Sequence, residues 1–339
     1  MNPKNETLPL VVALLLSGTA AGLGAWWVAQ QFKNSSPLPA NQEAGEIIYF
    51  KDVPGIPAGR FRYGGSTTFA PIRAIVDGEI AQSVPQFQLI YVDPITGTPG
   101  SGKGIEMLLD NQLNFSQSSR ALKDSEQQKA QVKGFALQEI PVAIDGIAIA
   151  VNPNLKIPGL TIAQLKAIYT DKITNWREVG GPDLTITPYS RDPKDGGTVE
   201  FFHDQVLEKE PFGQRVVFVH STTPALQKLA TTVGGIYYAS APEVVPQCGV
   251  RPLPLGRKAT ELIPPYQEPY INPQQCPQQR NRLNSAAFQQ ATYPITRNIF
   301  VIIKKNGQSD ETAGLAYADL LLTQQGQKLI EKAGFVPLR

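Results

Sequence analysis

Three stretches of this 339-residue chain join small and hydroxyl residues to a following helical pattern, and each could hold an anion. The first is Gly64-Gly65-Ser66-Thr67-Thr68-Phe69, leading into a pattern over 72–77. The second is Gly100-Ser101-Gly102-Lys103-Gly104, leading into 105–110. The third is Arg191-Asp192-Pro193-Lys194-Asp195-Gly196-Gly197-Thr198, leading into 199–206. At a helix start the first backbone N–H groups lack partners and the macrodipole is positive, so an oxyanion fits there. Glycine permits close backbone approach, and Ser or Thr adds a hydroxyl donor. A single such turn is usually no more than a helix cap. Three in one chain, one of them carrying Arg191 with its planar donor fork, point to capture of a small oxyanion.

Other chemistries find less material. The run Gly97-Thr98-Pro99-Gly100-Ser101-Gly102-Lys103-Gly104 approaches a nucleotide-binding P-loop, but Gly104 and Ile105 follow the lysine where a magnesium-binding hydroxyl is needed. The two histidines, His203 and His220, belong to no nucleophile motif. With two histidines and two cysteines there is little from which to build a zinc site, so no cofactor, metal or catalytic residue is expected. A net charge of +2 with 18% charged residues gives no sign of a nucleic-acid partner.

The elements that must position these turns alternate strand and helix, which predicts an α/β fold. Strands are expected at 87–92 (FQLIYV), 146–151 (GIAIAV), 184–189, 235–239 and 299–303, and helices at 160–169 and 314–333. Residues 8–29 carry no charge and, as a helix, would span about 33 Å, enough to cross a bilayer core. Trp26 and Trp27 stand near the end of this run, where interfacial aromatics belong. Residues 1–33 are therefore expected to be a membrane anchor or a signal segment. The Pro-, Asn- and Ser-rich stretch 34–59 reads as a tether. A Pro- and Gln-rich excursion at 252–279 holds Cys276, with Cys248 just before it. In an exported chain the two could form a disulfide stabilising by about 3 kcal/mol, or remain unpaired thiols.

Several ordered motifs, GGSTTFAP, GSGKGI, SSRALKDSE, IDGIAIAVNPN, IYTDKITNW and SRDPKDGGTVEFF, resemble the periplasmic phosphate-binding proteins of the PstS type, particularly their cyanobacterial SphX-like members. The resemblance covers roughly 61–339. It implies a two-lobed type II periplasmic-binding-protein fold with a hinge, lobe I being 60–145 plus 297–339 and lobe II 146–296. It further implies a monomer that captures inorganic phosphate between the lobes, without catalysis, for the permease subunits of an ABC transporter. Carried over residue by residue, the ligand donors would be Thr68, the Phe69 N–H, Ser101, Arg191, the Gly197 N–H and Thr198. Ser119, also in the expected ligand set, stands where many members carry an aspartate, and Gly196, a secondary candidate, where many carry a serine. Ser66, Thr67, Arg120, Asp145 and Asp195 are secondary candidates, Arg120 being equally suited to an ion pair with Asp124 or Glu126. A carboxylate rewards a ligand that carries a proton, so Ser119 weakens the distinction between phosphate and sulfate. Capture of sulfate or another tetrahedral oxyanion, and a sensing or scavenging role, are the competing expectations.

Overall fold

The computed structural model describes residues 47–193 and 196–338; the apolar run 8–29, and Lys194 and Asp195 of the third turn, lie outside them. Strands β1 (Gly59–Gly65), β2 (Phe87–Tyr91) and β3 (Phe115–Ser118) alternate with helices α1 (Ala70–Ser83), α2 (Ser101–Leu109) and α3 (Asp124–Val132). The chain continues through β4 (Ala136–Val151), β5 (Leu160–Thr161), α4 (Ile162–Tyr169), β6 (Thr187–Ser190), α5 (Gly197–Gln205), β7 (Val217–Phe218), α6 (Thr222–Thr231), β8 (Gly235–Ser240), the one-turn α7 (Ala241–Val244), β9 (Arg251–Leu253) and β10 (Leu255–Gly256). It closes with α8 (Ser285–Gln289), β11 (Thr296–Lys305), α9 (Ser309–Leu322) and α10 (Gln324–Lys332). Among the described residues no helix is long and apolar enough to cross a membrane.

The strands of the large sheet run β2-β1-β3-β11-β4-β8-β6-β7, with β9 also on β4. Its two ends are parallel, β2–β1–β3 on one side and β8–β6–β7 on the other. The central pairings β3–β11, β11–β4 and β4–β8 are antiparallel. Strand β4 joins the ends: residues up to Gly146 pair with β11, and Ile147–Val151 pair with β8. The strand expected at 146–151 is thus only the last part of a 16-residue strand. Pro141 hides its first part in the sequence, because proline cannot donate to a ladder. Here the register slips at Ile299/Phe300, opposite Ala143 and Pro141, and the irregularity absorbs the missing donor.

The apolar interior divides in the same way. One core runs through Ile147–Val151, Leu165, Trp176, Phe202, Tyr238 and Phe288. The others gather Phe61, Phe69, Ile72 and Tyr317, and Ile105, Leu108 and Ile302. Trp176 is fully buried and its indole N–H donates to the Gly234 carbonyl at 3.0 Å, so the tryptophan of the IYTDKITNW motif is architectural. The helical pattern expected over 314–333 is broken at Thr323, whose hydroxyl caps α10 by accepting from the Gly326 N–H at 2.9 Å. Cys248 and Cys276 form a disulfide. Residues 47–59, read from composition as part of a tether, pack onto the body instead. Phe50 is fully buried, its N–H donates to the Gln325 side chain at 3.0 Å, and the Ile47 and Ile48 carbonyls accept from Gln324 and Gln325. Two apolar residues, Phe50 and Val53, outweigh the polar composition around them.

A polar network lies under the first turn. Arg73 donates to the Ser66 carbonyl at 3.2 Å and to the Gln117 side chain at 2.8 Å, and its guanidinium lies 4.1 Å from the Tyr91 ring centroid. The Tyr63 hydroxyl donates to Asp77. Burial pushes the Asp77 carboxyl up to about 6, although the Tyr63 hydrogen bond and Arg73 pull it down. The folded state therefore holds this proton more tightly than the unfolded chain does. Asp77 contributes stability at low pH that is lost as pH rises through about 6. Between about pH 4 and about pH 7.5, wild type is expected to lose about 2–3 kcal/mol more unfolding free energy than Asp77→Asn. Urea unfolding of both proteins across that range measures it, and parallel profiles would show that Asp77 is not the titrating group.

Candidate functional site

The turns occupy the carboxyl ends of the parallel strands: the first follows β1, Ser119 follows β3, the third follows β6, and α7 follows β8 directly. At that edge the chain leaves the ladder and exposes helix starts, which is where open α/β sheets place ligands. Ser66, Ser101 and Ser119 meet there in a buried cluster. The Ser66 hydroxyl donates to Ser119 Oγ at 3.0 Å and accepts from the Thr68 N–H at 3.2 Å. Ser101 Oγ lies 3.2 Å from Ser119 Oγ and accepts from the Ser119 N–H at 3.0 Å.

Close approach of the first two turns depends on glycine. A Cβ at Gly104 would lie 2.4 Å from Gly65 Cα. The position where a P-loop needs a metal-binding hydroxyl thus has no room for a side chain, and the Lys103 ammonium pairs with Glu106 at 2.9 Å. The third turn docks on the serine cluster in turn. Thr198 Oγ1 is 3.5 Å from Thr68 Oγ1, and a Cβ at Gly197 would lie 2.4 Å from both Ser101 Oγ and Ser119 Oγ. Thr68, Ser101, Ser119, Gly197 and Thr198 are therefore brought together. The Phe69 ring is buried, and its N–H lies 3.3 Å from the Ser66 carbonyl, closing the turn.

Sequence reasoning missed Arg297. It stands at the start of β11, with its side chain only 2% exposed, against Asp145 with none exposed. Its Nε and Nη2 donate to Asp145 Oδ2 at 3.1 and 2.8 Å, and Nη1 donates to the Gly197 carbonyl at 3.1 Å. Nη2 also donates to Thr198 Oγ1 at 2.8 Å and to Thr68 Oγ1 at 3.3 Å. A hydroxyl that accepts from a guanidinium must turn its own hydrogen elsewhere, which leaves both threonines as donors. Asp145, a candidate acceptor in the sequence, is occupied on its other oxygen by the Ser240 hydroxyl at 2.5 Å. The available signal was positional: Asp145 and Arg297 carry opposite charges at the two points where the chain passes between the halves of the sheet.

Arg191 lines a cavity of about 190 Å3 together with Thr67, Thr68, Thr198, Thr222, Tyr237 and Glu243. Burial pushes the Tyr237 hydroxyl up to about 12 and the Glu243 carboxyl above the usual carboxylate range; the Asp145 charge also raises Glu243, while Thr222, Arg191 and Arg297 pull it down. Gly196 lies against Arg191: a Cβ there would be 3.4 Å from Arg191 Nη1, at a φ of +139° that disfavours serine. Arg120 faces two carboxylates, Glu126 at 2.7 Å and Glu200 of α5 at 2.6 Å, so of the partners expected for it Glu126 is engaged and Glu200 joins it. Asp195 lies outside the described residues. His203 sits on α5 beside Asp204 at 3.3 Å. Among the described residues no three of His, Cys, Asp and Glu cluster as metal ligands.

The fold, in which helix-start turns from both ends of one mixed sheet meet, has counterparts among known proteins. The family model described as "PBP superfamily domain" matches residues 52–325. The chain belongs to that superfamily, with the type II periplasmic-binding-protein fold. A protein of Staphylococcus haemolyticus named "Phosphate-binding protein PstS" is 34% identical over 163 residues, 47% of this chain and 48% of that protein. A Staphylococcus aureus protein of the same name is 25% identical over 285 residues, 82% of this chain and 78% of that one. The match thus spans about half the length of the first relative and more of the second. Among solved structures, a putative phosphate ABC transporter substrate-binding protein from Clostridium perfringens, with bound phosphate, superposes with a TM-score of 0.65 at 21% identity, covering 83% of this chain and all of that one. An ABC-type phosphate transport receptor from Vibrio cholerae gives 0.62 at 21%, covering 81% and 99%. At these identities the superpositions speak for the fold.

Proposed function

We propose that the chain is an extracytoplasmic solute-binding protein that captures inorganic phosphate between two lobes and delivers it to an ABC transporter. In this reading lobe I comprises 60–145 and 297–339, lobe II comprises 146–296, and the hinge lies where β4 and β11 run side by side. The N-terminal apolar segment would hold the protein at the outer side of the cytoplasmic membrane or direct its export, and the partners would be permease subunits. The protein binds and releases its ligand without chemistry. The observation that carries the proposal is the convergence of Thr68, Ser101, Ser119, Gly197 and Thr198 from both ends of the sheet. The names of the PstS relatives support phosphate as the ligand.

Calorimetry with phosphate, sulfate, arsenate and molybdate tests the ligand, and sulfate binding more tightly than phosphate at neutral pH would overturn the assignment. Arg191→Ala tests the site. A charged hydrogen bond in a desolvated site is worth about 2 kcal/mol or more, so the dissociation constant for phosphate should rise about thirtyfold or more. A change within about twofold would place the site elsewhere.

A further inference from the structure

Arg120 and Glu200 belong to opposite ends of the sheet yet bond each other. Arg120 stands just after β3, while Glu200 lies on α5, which follows β6 and begins with Gly197 and Thr198 of the third turn. The Arg120 Nη1 and Nη2 donate to Glu126 at 3.0 and 2.7 Å, and Nη1 donates also to the Ala121 carbonyl at 2.8 Å. Glu126 is itself held, accepting from the Lys123 N–H at 2.9 Å. The guanidinium is thus fixed from its own end of the sheet, with 7% of its side chain exposed, and Nε is left for another partner. That nitrogen donates to Glu200 at 2.6 Å. The second Glu200 oxygen pairs with the Lys123 ammonium, which also comes from the β3 side. Neither Arg120 nor Glu200 lines the cavity beside Arg191.

Resting on the two-lobe phosphate reading above, we propose that Arg120 and Glu200 are positioning residues, an ion pair between the lobes that seats the third turn and sets how long the anion stays bound. Gly197 and Glu200 stand at i and i+3 of α5, so they share one face of the helix. That face puts Gly197 against the hydroxyls of Ser101 and Ser119, and Glu200 against Arg120. The pair therefore engages only when the third turn is docked, one helical turn away from the donors themselves. Its surroundings suit a contact that must also open. On separation Arg120 keeps Glu126, and Glu200, with 20% of its side chain already exposed, passes into water. No buried charge is orphaned, so opening costs less than breaking an isolated buried pair. While the contact is shut, the buried guanidinium holds the carboxylate in a charge-assisted bond, and such bonds act mainly by slowing release.

The test is stopped-flow kinetics and calorimetry of inorganic phosphate with full-length wild type, Glu200→Gln and Glu200→Asp, alongside the melting temperature of each without ligand. Glutamine keeps the shape of Glu200 and removes its charge. Phosphate should then dissociate about tenfold faster, with the association rate changed by less than about threefold. The ligand-free melting temperature should hold, because the open form does not use the pair. Aspartate restores the charge one methylene short of Arg120 and should recover part of the slow release, which a role in packing alone would not give. A dissociation rate within about twofold of wild type in Glu200→Gln would overturn the role, as would an aspartate variant that releases no more slowly than glutamine. A fall in ligand-free melting temperature large enough to account for the lost affinity would also overturn it, since the pair would then serve the fold. Wild type that binds no phosphate would instead sink the phosphate reading itself, and the role of the pair with it.

Discussion

Arg297→Met is expected to destabilise the protein by about 3–5 kcal/mol, the cost of leaving one member of a buried ion pair without its partner. The pair is deeply placed, with side-chain exposures of 2% for Arg297 and 0% for Asp145. Removing the guanidinium strands the Asp145 carboxyl, which burial already pushes above the usual carboxylate range and which would then keep only Ser240 and backbone support. Asp145→Leu should cost a similar amount by stranding the cation. The double variant should recover much of the loss, because a pair replaced whole by apolar side chains leaves no orphaned charge. Urea unfolding of the three proteins gives the coupling directly. Singles within about 1 kcal/mol of wild type would show that water or rearrangement compensates the charge. The double variant also separates stability from binding. With Arg297 gone, Thr68 and Thr198 lose the donor that turns their hydroxyl hydrogens toward a ligand. Phosphate affinity should therefore stay low even where stability returns.

The contrast between this pair and the three turns explains what the sequence made legible. A helix start with glycine and hydroxyls is a local device, complete within some six residues. Ser66, Thr68, Ser101 and Thr198 could thus be picked out without knowing how the chain folds. Their meeting point could not. It follows from β3, β11 and β4 lying side by side, which puts Asp145 next to Arg297 across 152 positions of chain. Glu243 was equally hidden, since an acid inside a one-turn helix after an apolar strand looks like an ordinary capping residue until the cavity is seen. Element boundaries failed where one residue contradicted its neighbours, as with Pro141 inside β4 and Phe50 inside a polar stretch. In both cases tertiary packing overrode the local signal.

Gly197→Ala should separate ligand capture from folding more sharply than any loss of a donor. Gly197 is the first residue of α5 and has no special backbone conformation to protect. Alanine should suit that helical position at least as well, so the stability of the ligand-free protein should hold or rise by up to about 1 kcal/mol. The difficulty lies across the site. The new methyl would sit 2.4 Å from Ser101 Oγ and from Ser119 Oγ, and 3.3 Å from Ser101 Cβ. Those hydroxyls end short side chains in a buried cluster, so they have little freedom to yield. The third turn must therefore stand back from the first two, weakening the Thr68–Thr198 approach. Overpacking of this kind costs about 1–3 kcal/mol. In the proposed reading, in which the turns from the two lobes meet around the anion, that cost falls on the phosphate-bound form and raises the dissociation constant by roughly thirtyfold. Melting temperatures with and without phosphate give both halves of the prediction at once: an unchanged ligand-free value and a diminished shift on adding ligand. A full shift would mean that the two sides need not touch at Gly197 to hold the anion.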